Sequence, residues 1–185
     1  MNTRTATTTN RGLRRNRRKG AEFLEFTLVF LPMLAMILVL MDISWAVFAK
    51  STLEYAVRRG VRTGITITGT QATAAGGCLT DIVKKTVQSS ALGLLSGSSG
   101  LNKIKVNYFL PSGTGTAATD VSGQADGNKP LNIMQVSVQG FTLQALTPRI
   151  WTWKQSADAA ASSIYAASAD LIEASRDVPC IGSAP

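Results

Sequence analysis

No histidine occurs anywhere in the 185 residues. Its absence removes Ser-His-Asp and Cys-His catalysis, zinc-binding His-Glu-x-x-His helices and ordinary imidazole acid-base chemistry. Cysteine is nearly as scarce. With Cys78 and Cys180 alone, a four-cysteine metal site cannot form within one chain. The remaining acids and hydroxyls are dispersed and form no catalytic constellation, so the sequence points to a protein that is not an enzyme and needs no metal or other cofactor.

Acidic residues are missing from one region in particular. Seven of the 19 basic residues (Arg4, Arg11, Arg14, Arg15, Arg17, Arg18 and Lys19) precede Ala21, and none of the 11 acidic residues does. The formal charge of +8 is therefore concentrated in a leader, and the rest of the chain carries a net charge of only +1. Binding a nucleic acid needs a sustained basic patch that can neutralise phosphates. A nearly neutral body lacks one, and nucleic acid is not an expected partner.

Beyond the leader lies an apolar run from Phe26 to Ala49, with Asp42 as its one charged residue. At a helical rise of about 1.5 Å per residue it is about 36 Å long, enough to cross a hydrocarbon core of about 30 Å. A secretory signal has a shorter apolar region and a small-x-small cleavage site, and neither is found here. The basic cluster before the run outweighs the weaker one after it (Lys50, Arg58, Arg59 and Arg62), which orients the amino terminus toward the cytoplasm. Pro32 removes a helix hydrogen bond and predicts a kink. Asp42, near the outer end, either snorkels to water or faces a partner helix.

The junction itself reads Arg17-Arg18-Lys19-Gly20-Ala21-Glu22-Phe23-Leu24-Glu25-Phe26, with Thr27 to Pro32 behind it. A plain topology signal would account for the arginines. It would not account for Glu25, a carboxylate placed at the start of an apolar helix. A charge at the centre of such a helix costs about 2.5 to 3.5 kcal/mol on insertion scales, and less near an interface. A cation is the natural partner.

This junction resembles the amino-terminal signature of TadE-like pseudopilins, minor subunits of the tight-adherence (Flp, type IV) pilus machinery. Ala56-Val57-Arg58-Arg59-Gly60-Val61-Arg62 is similar to the stretch that follows the membrane helix in that family. The resemblance covers about residues 18 to 64 and implies that a prepilin peptidase of the inner membrane cuts between Gly20 and Ala21. Ala21 would then become the amino terminus and Glu25 the fifth mature residue. The resemblance further implies that Glu25 pairs with the new amine of a neighbouring subunit, although Glu22 is a second candidate for that role. Phe26 stands where major Flp pilins usually carry tyrosine, and the soluble region is far longer than theirs. Both features fit a minor pseudopilin.

The expected architecture is α+β: a basic leader over residues 1–20, a transmembrane helix over 21–49, its extension over 50–66 and a periplasmic domain over 67–185. Ala56, Gly60 and Gly64 make a small-residue stripe beside Leu53, Val57 and Val61, suited to packing within the domain or to a subunit interface. A loop from Thr70 to Gly77 precedes a helix whose Leu79, Ile82, Val83 and Val87 share one face. Leu95 to Gly100 reads as a flexible connection. Lys103 to Leu110 alternates as a strand with Ile104, Val106, Tyr108 and Leu110 on one side.

Pro111 to Pro130 reads as a mobile loop, and a second strand from about Asn132 to Leu146 changes parity at Gly140, the sign of a bulge. Trp151 and Trp153 either anchor the domain at the membrane boundary or pack within it. Over Ala157 to Arg176 the expectation is a strand through about Ser163 and an irregular or helical end. Cys78 and Cys180 fall in the part assigned outside the cytoplasm, where a disulfide can persist.

The expected function is that of a non-catalytic pilus-assembly subunit in the inner membrane, acting with a prepilin peptidase and with other pilins and pseudopilins. The alternative is a single-pass anchored periplasmic binding or scaffold protein that is never processed.

Overall fold

The computed structural model describes residues 11–112, 118–143, 162–173 and 179–182, with backbone alone for 11–19 and 162. Among the described residues four helices and four strands occur in the order α1 (Arg11–Thr66), α2 (Gly69–Ala74), α3 (Leu79–Ser90), α4 (Gly97–Asn102), β1 (Ile104–Leu110), β2 (Thr119–Asp120), β3 (Ile133–Leu143) and β4 (Ser162–Leu171). This is the α+β class expected from sequence. The chain forms two compact units, Met1–Ser44 and Trp45–Pro185, whose boundary lies within α1.

In the first unit α1 continues through Pro32. Helix formation here does not rest on tertiary burial, because the side chains are exposed along most of the apolar run. Thr27 Oγ1 returns a hydrogen bond to the Phe23 and Leu24 carbonyls, each at 3.0 Å, and Ser44 Oγ does so to Leu40 at 2.7 Å. Such local bonds hide hydroxyls that an apolar surrounding would otherwise leave unpaired.

The second unit is a layer of helices over an antiparallel sheet. Its strand order is β2-β1-β3-β4. One face of α1 contributes Ala49, Leu53, Ala56, Val57 and Val61 to the core, α3 contributes Leu79, Val83 and Val87, and the sheet contributes Ile104, Val106, Tyr108, Met134, Val136 and Val138. The α3 residues recur every four positions, so their burial reflects the 3.6-residue helical period. Ile82, assigned to the same face, is only half-buried.

The small-residue stripe packs within the domain. A Cβ on Gly60 would overlap Val87 Cγ2, and one on Gly64 would sit 2.5 Å from Met134 Sδ and 2.9 Å from Val83 Cγ2. These two glycines let α1 approach both α3 and the sheet.

The sheet register pairs Ile104 with Val138 and Tyr108 with Met134, so the buried positions of β1 and β3 face the same layer. Pairing between β3 and β4 shifts between Val138 and Phe141. Gly140 has φ +66° at that shift, a conformation an L side chain rarely adopts, and beyond it Phe141 and Leu143 are buried. The expected bulge is therefore present. Strand β3 is described as far as Leu143; residues 144–146, Trp151 and Trp153 lie outside the described residues.

Several local expectations need correction. The segment read as a loop from Thr70 contains α2, closed by a capping box in which Thr68 N donates to Gln71 Oε1 at 3.1 Å and Gln71 N to Thr68 Oγ1 at 3.4 Å. The Leu95–Gly100 connection is not free of structure, because it enters α4. Gln88 Nε2 ties it down through the Leu95 and Gly97 carbonyls at 2.8 and 2.9 Å, and Leu95 is buried. On β1 the apolar face ends at Tyr108, and Leu110 is exposed.

The described part of the Pro111–Pro130 segment is also structured. Val121 N donates to the Tyr108 carbonyl at 2.9 Å, Tyr108 N donates to Ser122 Oγ at 2.8 Å, and Val121, Ser122 and Asn128 are buried. Ser122 in turn binds Asp120 Oδ1 through its hydroxyl at 2.5 Å and its amide at 2.9 Å. These bonds from Ser122, helped by the Asn107 side chain, hold the Asp120 carboxyl below its ordinary range, against a smaller upward push from burial.

The last correction concerns β4. It runs from Ser162 to Leu171, so strand occupies Ile164 to Leu171, expected to be irregular or helical, while residues 157–161 and 174–176 lie outside the described residues. Ile164 and Ala166 face the core while Tyr165 and Ala167 point outward. Pairing along the length of β3 overrides the helical preference of alanine.

Candidate processing and assembly site

Gly20, Ala21, Glu22, Phe23, Leu24, Glu25 and Phe26 all lie on α1 and all are exposed. Phe26 stacks on Phe30, one turn further on, with ring centroids 5.3 Å apart and planes 14° from parallel. Ala21 and Glu25 are four residues apart, so they occupy neighbouring turns of one helix face, about 6 Å apart along the axis. Among the described residues, neither Glu22 nor Glu25 has an ion-pair partner.

Gly20 is the informative residue of this group. A glycine inside a helix costs about 1 kcal/mol relative to alanine. At Gly60 and Gly64 close packing accounts for that cost. At Gly20 a Cβ would meet nothing within 4 Å, and the backbone is ordinary right-handed helix. No contact within the described chain calls for glycine there.

From Gly20 to Thr66 the helix is long and apolar enough to cross a membrane, with a mean hydropathy of 2.4 in its most apolar stretch. Its far end carries the Arg58-Arg59-Gly60-Val61-Arg62 sequence, in which Gly60 and Val61 are buried and the arginines exposed.

Residues 20–62 match the family model of TadE-like proteins. The TadE-like stretch begins at Gly20 and ends at Arg62, so it takes in the junction, the apolar run and the start of the stripe. No curated protein and no solved structure is detectably similar to the chain.

The two cysteines, 102 residues apart, meet outside the TadE-like stretch. Their sulfurs are joined as a disulfide, with the Cα atoms 4.9 Å apart. The bond is part of a larger clasp that the sequence did not disclose. Leu79 N and Thr80 N, at the start of α3, donate to the Cys180 and Ile181 carbonyls at 2.8 and 2.9 Å. Asn128 Nδ2 donates to the Pro179 carbonyl at 2.6 Å. The tail therefore satisfies amide groups that a helix amino terminus leaves without intrahelical partners. Backbone-to-backbone bonds over this separation have no residue signature, although the cysteines mark their neighbourhood. Among the described residues no group of three or more His, Cys, Asp or Glu side chains is arranged to hold a metal ion.

Proposed function

We propose that the chain is a non-catalytic minor pseudopilin of a Tad-type pilus, anchored by α1 in the inner membrane with its amino terminus cytoplasmic and its α+β domain periplasmic. In this reading a prepilin peptidase cuts between Gly20 and Ala21. The observation that carries it is the open space around Gly20: a helix-weakening residue is placed where the chain itself gains nothing, so the requirement comes from something that must reach the backbone. The match over residues 20–62 supports the reading independently.

The chemistry is coherent. Cleavage creates a positive α-amine on Ala21 and removes the basic leader. Glu25, exposed and without an ion-pair partner among the described residues, meets the amine of a neighbouring subunit, which offsets the cost of holding a carboxylate in an apolar surrounding. The membrane helix thereby serves as the element through which subunits associate, and the domain sealed by the Cys78–Cys180 clasp is carried with it. Deleting the gene is expected to abolish surface pili, and a copy encoding the intact chain to restore them. Normal piliation of the deletion strain would refute the assembly role.

A further inference from the structure

The outward face of α1 beyond Lys50 is strongly and unevenly charged. Ala49, Leu53, Ala56, Val57, Gly60, Val61 and Gly64 turn into the core, leaving Tyr55, Arg58, Arg59 and Arg62 exposed on the other side. Glu54 is the one acid in this segment, and Lys50 and Arg58 share it at 4.0 and 3.9 Å. Among the described residues Arg59 and Arg62 have no carboxylate partner. The face is a row of three arginines beside a tyrosine that is 59% exposed.

This row differs from an ordinary solvated surface in its place and in its residue type. Positive residues close to the translocated end of a membrane helix work against the orientation set by the leader, so three arginines at this place oppose topology. Solvation alone is served equally well by mixed charges or by lysine. Arginine offers a planar fork that binds carboxylates in pairs, and a neighbouring exposed tyrosine adds contact area at small entropic cost.

The membrane surface is the weaker occupant. Arg62 lies 12 residues beyond Lys50, about 18 Å along the helix, whereas attraction to anionic headgroups fades over a Debye length of about 8 Å. We propose that Tyr55, Arg58, Arg59 and Arg62 form a docking face for an acidic helical segment of another pilus subunit, one with carboxylates three or four positions apart to match Arg59–Arg62 and Arg58–Arg62. That the partner is a pilus subunit rests on the function proposed above; its acidity rests on the arginine row.

The test places p-benzoylphenylalanine at Tyr55 of the full chain in piliated cells, irradiates them and maps the adduct by mass spectrometry. The expected adduct is a different pilus protein, joined through a peptide with two or more acids at helical spacing. It is lost in the Arg59→Glu/Arg62→Glu variant and returns when the mapped carboxylates are exchanged for lysines in that background. An adduct that survives the double variant, maps to lipid, to a second copy of this chain or to a peptide without acids, or does not form at all overturns the docking face. The intact mass of the same sample reports cleavage at Gly20 separately. An acidic partner from outside the pilus machinery would preserve the arginine chemistry and overturn the subunit assignment.

Discussion

Gly60 of α1 lies so close to Val87 of α3 that a Cβ at residue 60 would overlap Val87 Cγ2. Replacing Gly60 with alanine forces a shift in a filled core, for which the usual cost is about 1 to 3 kcal/mol. Denaturant unfolding of the purified full chain in detergent should show that loss. The contrasting variant is Gly20→Ala, whose new methyl group meets open space and is expected to leave domain stability unchanged.

The disulfide should be the largest single contribution of covalent structure to the domain. Closing a loop of about 100 residues stabilises by about 4 to 5 kcal/mol in a chain-entropy treatment. The Cys78→Ser/Cys180→Ser variant is expected to unfold at lower denaturant by a corresponding margin. Mobility of the native chain on gels should change with reductant, and two free thiols in the native protein would contradict the clasp.

Asp120 supplies a pH prediction. Its folded pKa is lowered chiefly by the Ser122 hydroxyl and then the Ser122 amide, so the stabilisation is fully present above the ordinary aspartate value of about 3.9. It is lost as the pH falls from that value through the depressed folded one. Asp120 is exposed, so the effect is local and weakened by solvent and salt. Protection of the Ser122 and Val121 amides, taken relative to unprotected exchange at the same pH, should fall in that acid window, and Asp120→Asn should flatten the dependence.

The elements legible in the sequence are those with a sustained apolar period. The membrane run of α1, the buried face of α3, the alternation of β1 and the parity change at Gly140 each arise from side chains that must share a face. Elements too short for periodicity were not legible: α2 has a cap signal in Thr68 and Gln71 but only six residues, and β2 has two. β4 is not legible, because alanine and serine say little about a strand whose stability comes from its partner β3. At the candidate site, the order of Gly20 and Glu25 is visible in sequence. That Gly20 has no packing role, unlike Gly60 and Gly64, required the structure.

Glu25→Ala separates cleavage from assembly. The substitution leaves Gly20 and Ala21 in place, so processing is expected to continue while the pairing carboxylate is lost. Intact mass should match the processed chain, and counts of surface pili should fall sharply. Glu22→Ala is the companion measurement, with a smaller expected loss. Normal piliation in the Glu25 variant would remove its proposed role.

A cut between Gly20 and Ala21 precedes every later step of the proposed assembly role. Amino-terminal sequencing of the membrane-bound chain, from cells with and without the prepilin peptidase, tests it most directly. The chain is predicted to begin at Ala21 when the peptidase is present and to retain its basic leader when the peptidase is absent or Gly20 is replaced by a bulky residue. An intact leader in both strains would contradict the account and leave an unprocessed anchored protein in its place.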